Sequence, residues 1–546
     1  MKRLHLFGLS IFTGVLLSFG WIPSAFEPLL LIAFVPLLIA ENFVYKNKPS
    51  FSNVFVFNLA YIGFLTWNII STYWIYNSTL FGAIAAIVIN TLFQSLVFLF
   101  FHITKCKLSS KQGNYALIVY WIGFEFLHLN WPLSWSWLTL GNGFASYIKC
   151  IQWYEYTGVL GGSLWILASN VLLYKWIDLK FIDKSEKSYT YLVSTIAIIT
   201  FPLIFSQIVF ANYKEKSNPI QVVAVQPNID PYNEKFNGLS SDEQMAKMLK
   251  LASRAVNINT CYLLLPETAI PEGIWEENIE RSSCIDSIRV FIRKFPALTV
   301  IVGASTHKIV TDGGINRISA RKFADDSSYY ESFNTTLMID SSPHIQIYHK
   351  SKLVPGVEGM PFGNYLSFLD KFAMDLGGSV GSYGIQTNRT PFISNKGAIK
   401  IAPVICYESI FGEFVAKYVE NGANIITIGT NDGWWGNTPG YKQHCSYASL
   451  RAIETRRSIA RSANTGISCF VSQRGEIQEA TEWWKEDVIS KSINANDTVT
   501  FYVKYGDYIG KLMAIMSVLL LILTLSILKK NEVCCKIFKM LVRKDR

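Results

Sequence analysis

The sequence predicts a helical membrane bundle of about eight spans that carries one α/β domain. Three observations point there. Half of the 546 residues are hydrophobic and mean hydropathy is +0.25, too apolar for a soluble enzyme of this aromatic content. Apolar stretches near the roughly 20 residues that a membrane helix needs follow one another through residue 211 and recur once near the C-terminus. Between them, residues 212–508 alternate short apolar strands with helical patterns, the signature of a sheet layered by helices.

The start, Met1-Lys2-Arg3 and then Leu4 to Trp21, has the charged head and apolar core of a signal peptide. Further spans follow at once, so it reads as the first of them. Spans are read near 4–21, 27–44, 53–76, 79–103, 115–130, 158–177, 189–211 and 509–528. The chain thus divides into a seven-span bundle (1–211), a polar domain (212–508), a final span (509–528) and a basic tail (529–546). Lys2, Arg3, Lys46, Lys48, Lys105, Lys107, Lys111, Lys180, Lys184, Lys187 and the tail fall on one side. The opposite loops 22–26 and 77–78 carry no Lys or Arg, and 131–157 carries only Lys149. By the positive-inside rule both termini are cytoplasmic and 212–508 lies outside the cytoplasm. Trp131, Trp135, Trp137 and Trp153 cluster in the loop from Asn130 to Tyr156. They are expected first as headgroup-level anchors and second as a lipid-contacting surface. The spans read as free of buried charge pairs, which argues against transport; Glu125 in the fifth span is the residue to inspect.

In the polar domain, strands are expected at Ile220–Val225, Cys261–Leu265, Leu298–Gly303, Asn424–Ile428 and Ile467–Ser472. Ser332–Asp340 and Ile345–Tyr348 read as a hairpin turning at Ser-Ser-Pro, and Ile401 leads a buried strand into Cys406. Helices are expected at Ser240–Val256, opened by a Ser240/Glu243 capping box, and at Ile279–Phe295, Ser409–Val419 and Gln443–Ala460. The net charge of +10 is not gathered into a basic stripe interleaved with aromatics, so nucleic acid is not an expected partner. The nine cysteines include no CxxC, which excludes a zinc module and a regular disulfide scaffold. A Cys261–Cys284 bridge stays open, and Cys534-Cys535 in the basic tail reads as inert.

Three polar residues end apolar runs. Cys406 follows Ile401-Ala402-Pro403-Val404-Ile405, and a thiol at a strand-to-helix junction is expected to gain thiolate character from the helix N-terminus. Against this stands the ordinary buried cysteine. Glu267 follows Leu263-Leu264-Leu265-Pro266; desolvation is expected to raise its pKa toward a general base's range. It competes with a plain loop carboxylate. Lys350 follows Ile345 to His349, and pointing inward it would stabilise a thiolate and an oxyanion; the bland reading is a solvated lysine, as expected for Lys352. Glu358 sits in the Gly-bounded loop Gly356-Val357-Glu358-Gly359 as a partner of that lysine or a solvated charge. His444 beside Cys445 lacks metal-ligand spacing and reads as a surface or hydrogen-bonding histidine. No serine nucleophile is read in a G-x-S-x-G elbow, and H-E-x-x-H and Walker motifs are absent from the sequence.

Leu-Pro-Glu267-Thr, Tyr-His-Lys350 and Val-Ile-Cys406-Tyr-Glu, in this order, resemble the Glu-Lys-Cys triad of the nitrilase superfamily. With the flanking spans, the chain resembles the bacterial apolipoprotein N-acyltransferases. Phe19-Gly20-Trp21 with Pro28-Leu29-Leu30, Trp137-Leu138-Thr139-Leu140-Gly141, Asn431-Asp432-Gly433-Trp434-Trp435-Gly436, Gln443-His444 and Arg461-Ser462-Ala463-Asn464-Thr465-Gly466 are similar to that family's signatures. The resemblance implies a nitrilase-like αββα sandwich on a bundle in a bacterial plasma membrane, with the sandwich periplasmic. It implies Glu267 as base, Lys350 as oxyanion stabiliser and Cys406 as nucleophile. Glu358 matches the additional glutamate, and Tyr407 and Glu408 the pair after the cysteine. Phe236, Trp434 and Trp435 are the substrate-binding candidates. The implied reaction moves an acyl chain from a membrane phospholipid, through a Cys406 thioester, to the N-terminal amine of a diacylglyceryl-cysteine lipoprotein, with no metal or organic cofactor. Two departures bear on the lid loops: Val354-Pro355-Gly356-Val357-Glu358 replaces Val-Pro-Phe-Gly-Glu, and Tyr232 and Phe236 stand where the family often has Trp. The alternatives are a membrane-tethered amidase acting on small C–N bonds and a non-catalytic lipid-binding protein.

Overall fold

The computed structural model describes every residue except 23–25, 109, 183, 186, 237, 312–316, 325–327, 360, 362–381, 395–398 and 545–546. The N-terminal part is a bundle of α1 (Arg3–Ser18), α2 (Val35–Lys46), α3 (Asn53–Thr72), α4 (Leu80–Leu108), α5 (Ser110–Asn130), α6 (Tyr154–Ile177) and α7 (Ser188–Asn212). Among the described residues six helical segments are long and apolar enough to cross a membrane: Glu27–Lys46, Asn53–Asn77, Leu80–Leu108, Tyr154–Phe181, Ser188–Asn212 and Tyr508–Leu528. The two others read from the sequence are α1, which has only 16 residues, and α5, which carries Glu125 and His128. Val193, Phe201, Ile515 and Leu519 are left exposed on the outer helices, an apolar surface that lipid would cover.

The expectation of spans without buried charge pairs is overturned. Glu41 on α2 takes Lys105 Nζ at 2.5 Å and His102 Nδ1 at 2.6 Å, both from α4, and all three side chains are buried. Each sits near one end of its apolar run, and only the packing of α2 on α4 pairs them. Lys105 had read as a loop charge. Glu125 is buried and accepts from Trp121 Nε1 at 3.0 Å and Leu140 N at 2.8 Å.

The polar domain is a four-layer sandwich. One sheet comprises β1 (Pro219–Gln226), β2 (Tyr262–Leu264), β3 (Ile270–Trp275), β4 (Thr299–Val310), β5 (Arg321–Lys322), β6 (Tyr329–Ile339), β7 (Gln346–His349) and β14 (Asp487–Asn494). The other comprises β8 (Phe392–Ile393), β9 (Lys400–Ile405), β10 (Ile425–Thr430), β11 (Ile459–Ala463), β12 (Cys469–Val471) and β13 (Ile477–Gln478), neighbours in that order. Period-two alternation fills both faces of β1: Val222 and Ala224 enter the core between the sheets, while Val223 and Val225 pack under the outer helices. Helices α8 (Ser241–Ala252) and α9 (Ser283–Lys294) cover the first sheet. Helices α10 (Gly412–Glu420) and α11 (Pro439–Thr455) cover the second and face the bundle. After α12 (Phe501–Tyr505) the chain returns along α13 (Tyr508–Lys544), so the segment read as a tail continues the last helix.

Several boundaries differ from expectation for local reasons. The capping box at α8 forms, with Ser240 N donating to Glu243 Oε2 at 2.8 Å. The helix expected to run to Ala460 stops at Thr455, because Arg456 turns into the left-handed region at φ +51°; Ile459–Ala463 is instead a strand parallel to β10. The helix expected from Ser409 begins at Gly412, after a 3-10 turn over Cys406–Ile410 in which Ser409 Oγ folds back onto the Cys406 carbonyl at 2.7 Å. Likewise a 3-10 turn over Glu276–Arg281 precedes α9. Cys261 and Cys284 are both free thiols. Cys534 and Cys535 have side chains outside the described residues.

The tryptophan loop does not form a headgroup belt. Trp137 is buried and donates through Nε1 to Gln443 on α11 at 2.7 Å. Its ring packs on Trp74 of the bundle at 5.0 Å and on Trp435 of the sandwich at 5.7 Å. Trp135 stacks with Tyr407 at 6.2 Å, and Trp131 Nε1 donates to His128. Trp153 packs on Trp165 inside the bundle. Trp135 and Trp137 thus join bundle to sandwich.

Candidate active site

Glu267, Lys350 and Cys406 each stand just beyond the C-terminal end of a strand: β2, β7 and β9. Glu267 rides a tight turn in which Thr268 has φ +46°. This turn lies directly on β4 at Gly303, where a Cβ would come within 2.5 Å of the Pro266 carbonyl and the Thr268 nitrogen. Only glycine allows that approach. Lys350 is held by its own backbone, whose N–H donates to the Asn334 carbonyl at 2.8 Å. Cys406 has φ +47°, unusual for a residue with a Cβ.

Lys350 Nζ sits between two carboxylates, 3.0 Å from Glu267 Oε1 and 2.8 Å from Glu358 Oε1. Asn334 Nδ2 donates to the same two oxygens at 2.8 and 3.1 Å. Glu358 is therefore a partner of the lysine, and its Oε2 is fixed by Val354 N at 2.8 Å. Glu408 ties the lysine's loop to the cysteine's strand. Its Oε1 accepts from Tyr348 OH at 2.6 Å and Ser351 N at 2.7 Å, and its Oε2 from Ile405 N at 2.9 Å. Tyr407 OH donates to Ser134 O at 2.5 Å and so anchors the residue after Cys406 to the bundle.

The electrostatics reverse two expectations. Burial pushes the Glu267 carboxyl up, but the Lys350 ammonium, Asn334 and Lys235 outweigh it, and its pKa lies below the ordinary value. Burial and the Glu267 charge push the Cys406 thiol far above its usual range, with Lys350 pulling only partly back. The helix N-terminus expected to favour thiolate is not there, because α10 begins six residues later. Lys350 itself stays charged: burial lowers its pKa, and Glu267 and Glu358 more than restore it.

Other residues gave no signal by spacing. Lys235 lies in an irregular loop, is buried, and donates to the Glu267 carbonyl at 2.9 Å. Burial lowers its pKa to about 8 against the pull of Glu267 and Cys406. His444 is buried, with Nδ1 2.8 Å from Asp432 Oδ1 and Nε2 3.1 Å from the Cys406 carbonyl. Cys406, Asp432 and His444 offer ligand atoms within 4.8 Å of one another. The Asp432 oxygens are already taken up by Thr430, His444 and Arg461, so the set reads as a hydrogen-bonded support. Lys352 is not the freely solvated lysine expected: it is half-buried and donates to the Leu129 carbonyl at 3.1 Å. Phe236 and Trp434 stack at 6.3 Å on an exposed ledge that Tyr232 joins through a 2.9 Å bond to the Trp434 carbonyl. Trp435 instead turns inward against Trp74 at 4.8 Å.

Two families match the chain. The apolipoprotein N-acyltransferase N-terminal domain matches residues 13–172, and carbon-nitrogen hydrolase matches residues 221–501, so the sandwich is a nitrilase-like domain. The apolipoprotein N-acyltransferase of Chlorobaculum tepidum is 30% identical over 516 residues, covering 92% of this chain and 93% of the relative. That of Geobacter metallireducens is 26% identical over 517 residues, covering 91% of each. That of Thermotoga maritima is 26% identical over 532 residues, covering 95% of this chain and 85% of the relative. On this evidence the chain is a membrane protein and belongs to the apolipoprotein N-acyltransferase family.

Proposed function

We propose that the protein transfers an acyl chain from a membrane phospholipid to the N-terminal amine of a diacylglyceryl-cysteine lipoprotein, using Glu267, Lys350 and Cys406. The observation that carries this reading is the buried Glu267–Lys350–Glu358 array, whose Glu267 and Lys350 charges act on the Cys406 thiol, in a chain of this family. With the thiol neutral and the carboxylate ionised at rest, attack requires proton transfer. Glu267 takes the Cys406 proton as sulfur bonds to the ester carbonyl carbon. Lys350 stabilises the oxyanion, an effect of about 3–4 kcal/mol per donor in comparable sites. The tetrahedral species expels the lysophospholipid alkoxide, which takes the proton from Glu267, and leaves a Cys406 thioester. The lipoprotein amine then attacks the thioester carbonyl, Glu267 accepts one amine proton, and as the C–S bond breaks the Cys406 thiolate takes that proton back from Glu267, leaving the amide and the resting enzyme. Phospholipid alone is expected to add one acyl mass, removable by hydroxylamine, to the Cys406 peptide. A diacylated lipopeptide then discharges it onto its α-amine. Acyl mass confined to Cys445 or Cys469 would overturn the assignment.

Both substrates are lipid-anchored, so the reading requires the sandwich at the membrane surface. We place residues 212–508 on the periplasmic side and both termini in the cytoplasm, because the short loops divide Lys and Arg one-sidedly. Single-cysteine labelling with an impermeant reagent is expected to reach residue 258 in intact spheroplasts; labelling only after permeabilisation reverses the orientation.

Lys235 adds to the hold that Lys350 and Asn334 have on the ionised Glu267. Lys235→Met removes one positive charge, so the Glu267 pKa rises and the acid limb of kcat/KM moves to higher pH. An unmoved acid limb would reduce Lys235 to a packing role.

A further inference from the structure

We propose that a basic cavity where α5 and α13 meet the sandwich binds the phosphate of an anionic phospholipid, at a site separate from Cys406. The cavity encloses about 710 Å³, and Glu267, Lys350 and Cys406 are not in its lining. Leu129 and Asn130, which end α5, and Asp507, which precedes α13, lie on its wall. These two helices pack together, with Ser517 Oγ donating to the Val119 carbonyl at 2.9 Å. With α5 and Tyr508–Leu528 taken as neighbouring spans, as the sequence reads them, the cavity lies at their shared end, where lipid phosphates would sit.

Four cations line it, Lys352, Arg389, Lys400 and Lys417, against two carboxylates, Glu413 and Asp507. The carboxylates face other partners: Glu413 pairs with Lys511 at 2.6 Å, and Asp507 accepts from Tyr502 OH at 2.7 Å. Lys417 pairs with Glu420 at 2.6 Å. Among the described residues, Lys352, Arg389 and Lys400 have no carboxylate in ion-pair reach. Neutral groups hold two of them instead. Lys352 Nζ lies 4.8 Å from the Phe411 ring centre. Arg389 donates to Tyr348 OH at 3.2 Å and lies 4.5 Å from the Phe414 ring centre. The buried Glu408 carboxylate reaches Lys352 only at a distance and Arg389 only through Tyr348, so the cations of this cavity outnumber the carboxylates that face them and leave room for one anion. A phosphodiester supplies it. A lipid is favoured over free phosphate because α5 and α13, whose ends wall the cavity, expose Leu127 and Leu512 close to those ends, apolar surface that acyl chains would cover. Lys352 is two residues past Lys350, and Glu408 accepts from the backbone of Ser351 between them. A bound lipid phosphate would thus steady the Lys350 loop.

The test uses the full chain carrying Cys406→Ala, in which no donor is consumed, so binding is read independently of acyl transfer. Native mass spectrometry in detergent compares phosphatidylglycerol with phosphatidylcholine of the same chains. Phosphatidylglycerol is expected to be retained preferentially. Lys352→Gln with Lys400→Gln should weaken it roughly 25-fold, about fivefold per charge. A photoreactive phosphatidylglycerol should label the segment 386–421 in the parent protein, which keeps the test valid if the double variant does not fold. Equal retention of the two lipids, labelling elsewhere, or complete displacement by inorganic phosphate would each overturn the proposal.

Discussion

Cys406→Ala is expected to abolish acyl transfer and leave no acyl mass on the protein. In the proposed reaction every acyl group passes through one sulfur, and neither Cys445, inside α11, nor Cys469, which opens β12, stands just beyond the C-terminal end of a strand as Cys406 does. Cys406→Ser is the sharper variant. Its hydroxyl keeps the size and the backbone turn, but the Glu267 carboxylate, held below its ordinary pKa, is a poor base for an alcohol. The expected product is at most a slow, hydroxylamine-resistant oxyester, read by intact-protein mass. Transfer by Cys406→Ala at the parent rate would remove Cys406 from the mechanism.

Glu267→Gln is expected to slow acylation by roughly 10²–10⁴-fold, the range for losing a general base. The resting electrostatics make this variant informative. Were the thiol already a thiolate, a base would be dispensable and the loss small. Burial keeps Cys406 protonated, so the proton must go somewhere at the moment of attack. The amide also removes one of the two carboxylates facing Lys350, leaving Glu358 at 2.8 Å to hold the ammonium. Lys350 therefore stays in place, and the single-turnover rate of thioester formation isolates the lost proton acceptor. An acylation rate within tenfold of the parent would assign the base to another group.

What could be read from the sequence follows from what is local. Glu267, Lys350 and Cys406 were legible because each closes a short apolar run, and a strand has to end where its polar residue begins. The capping box of α8 was legible for the same reason. Features made by distant elements were not. Glu41 and Lys105 meet only through helix packing, and Lys235 reaches the Glu267 carbonyl from a loop without periodicity. Asn334, inside a long strand, looks like any polar position until β7 pairs beside it. The Glu267 expectation failed because the groups that outweigh its desolvation, Lys350, Asn334 and Lys235, come from three separate segments; the Cys406 expectation failed because burial wins there and the following helix starts too late to offset it. The strand Ile459–Ala463 was hidden by an Ile-Ala composition that suits a helix equally well, and one left-handed arginine decided between them.

The tryptophan joint between bundle and sandwich sets a limit on how this protein can be handled. Tyr407, Ile410, Phe411, Tyr447, Leu450 and Ile453 of the catalytic half belong to the same buried cluster as the bundle core. A fragment beginning at residue 212 would carry all six into water. At about 1.5–3 kcal/mol for each large apolar side chain, the exposure rivals the entire stability of about 5–15 kcal/mol typical of a folded protein. Such a fragment would aggregate or distort where Cys406 turns. In this molecule the membrane part is structural scaffolding for the chemistry as well as an address, and purification, crystallisation and inhibitor screening all have to begin with the intact chain in a bilayer mimic.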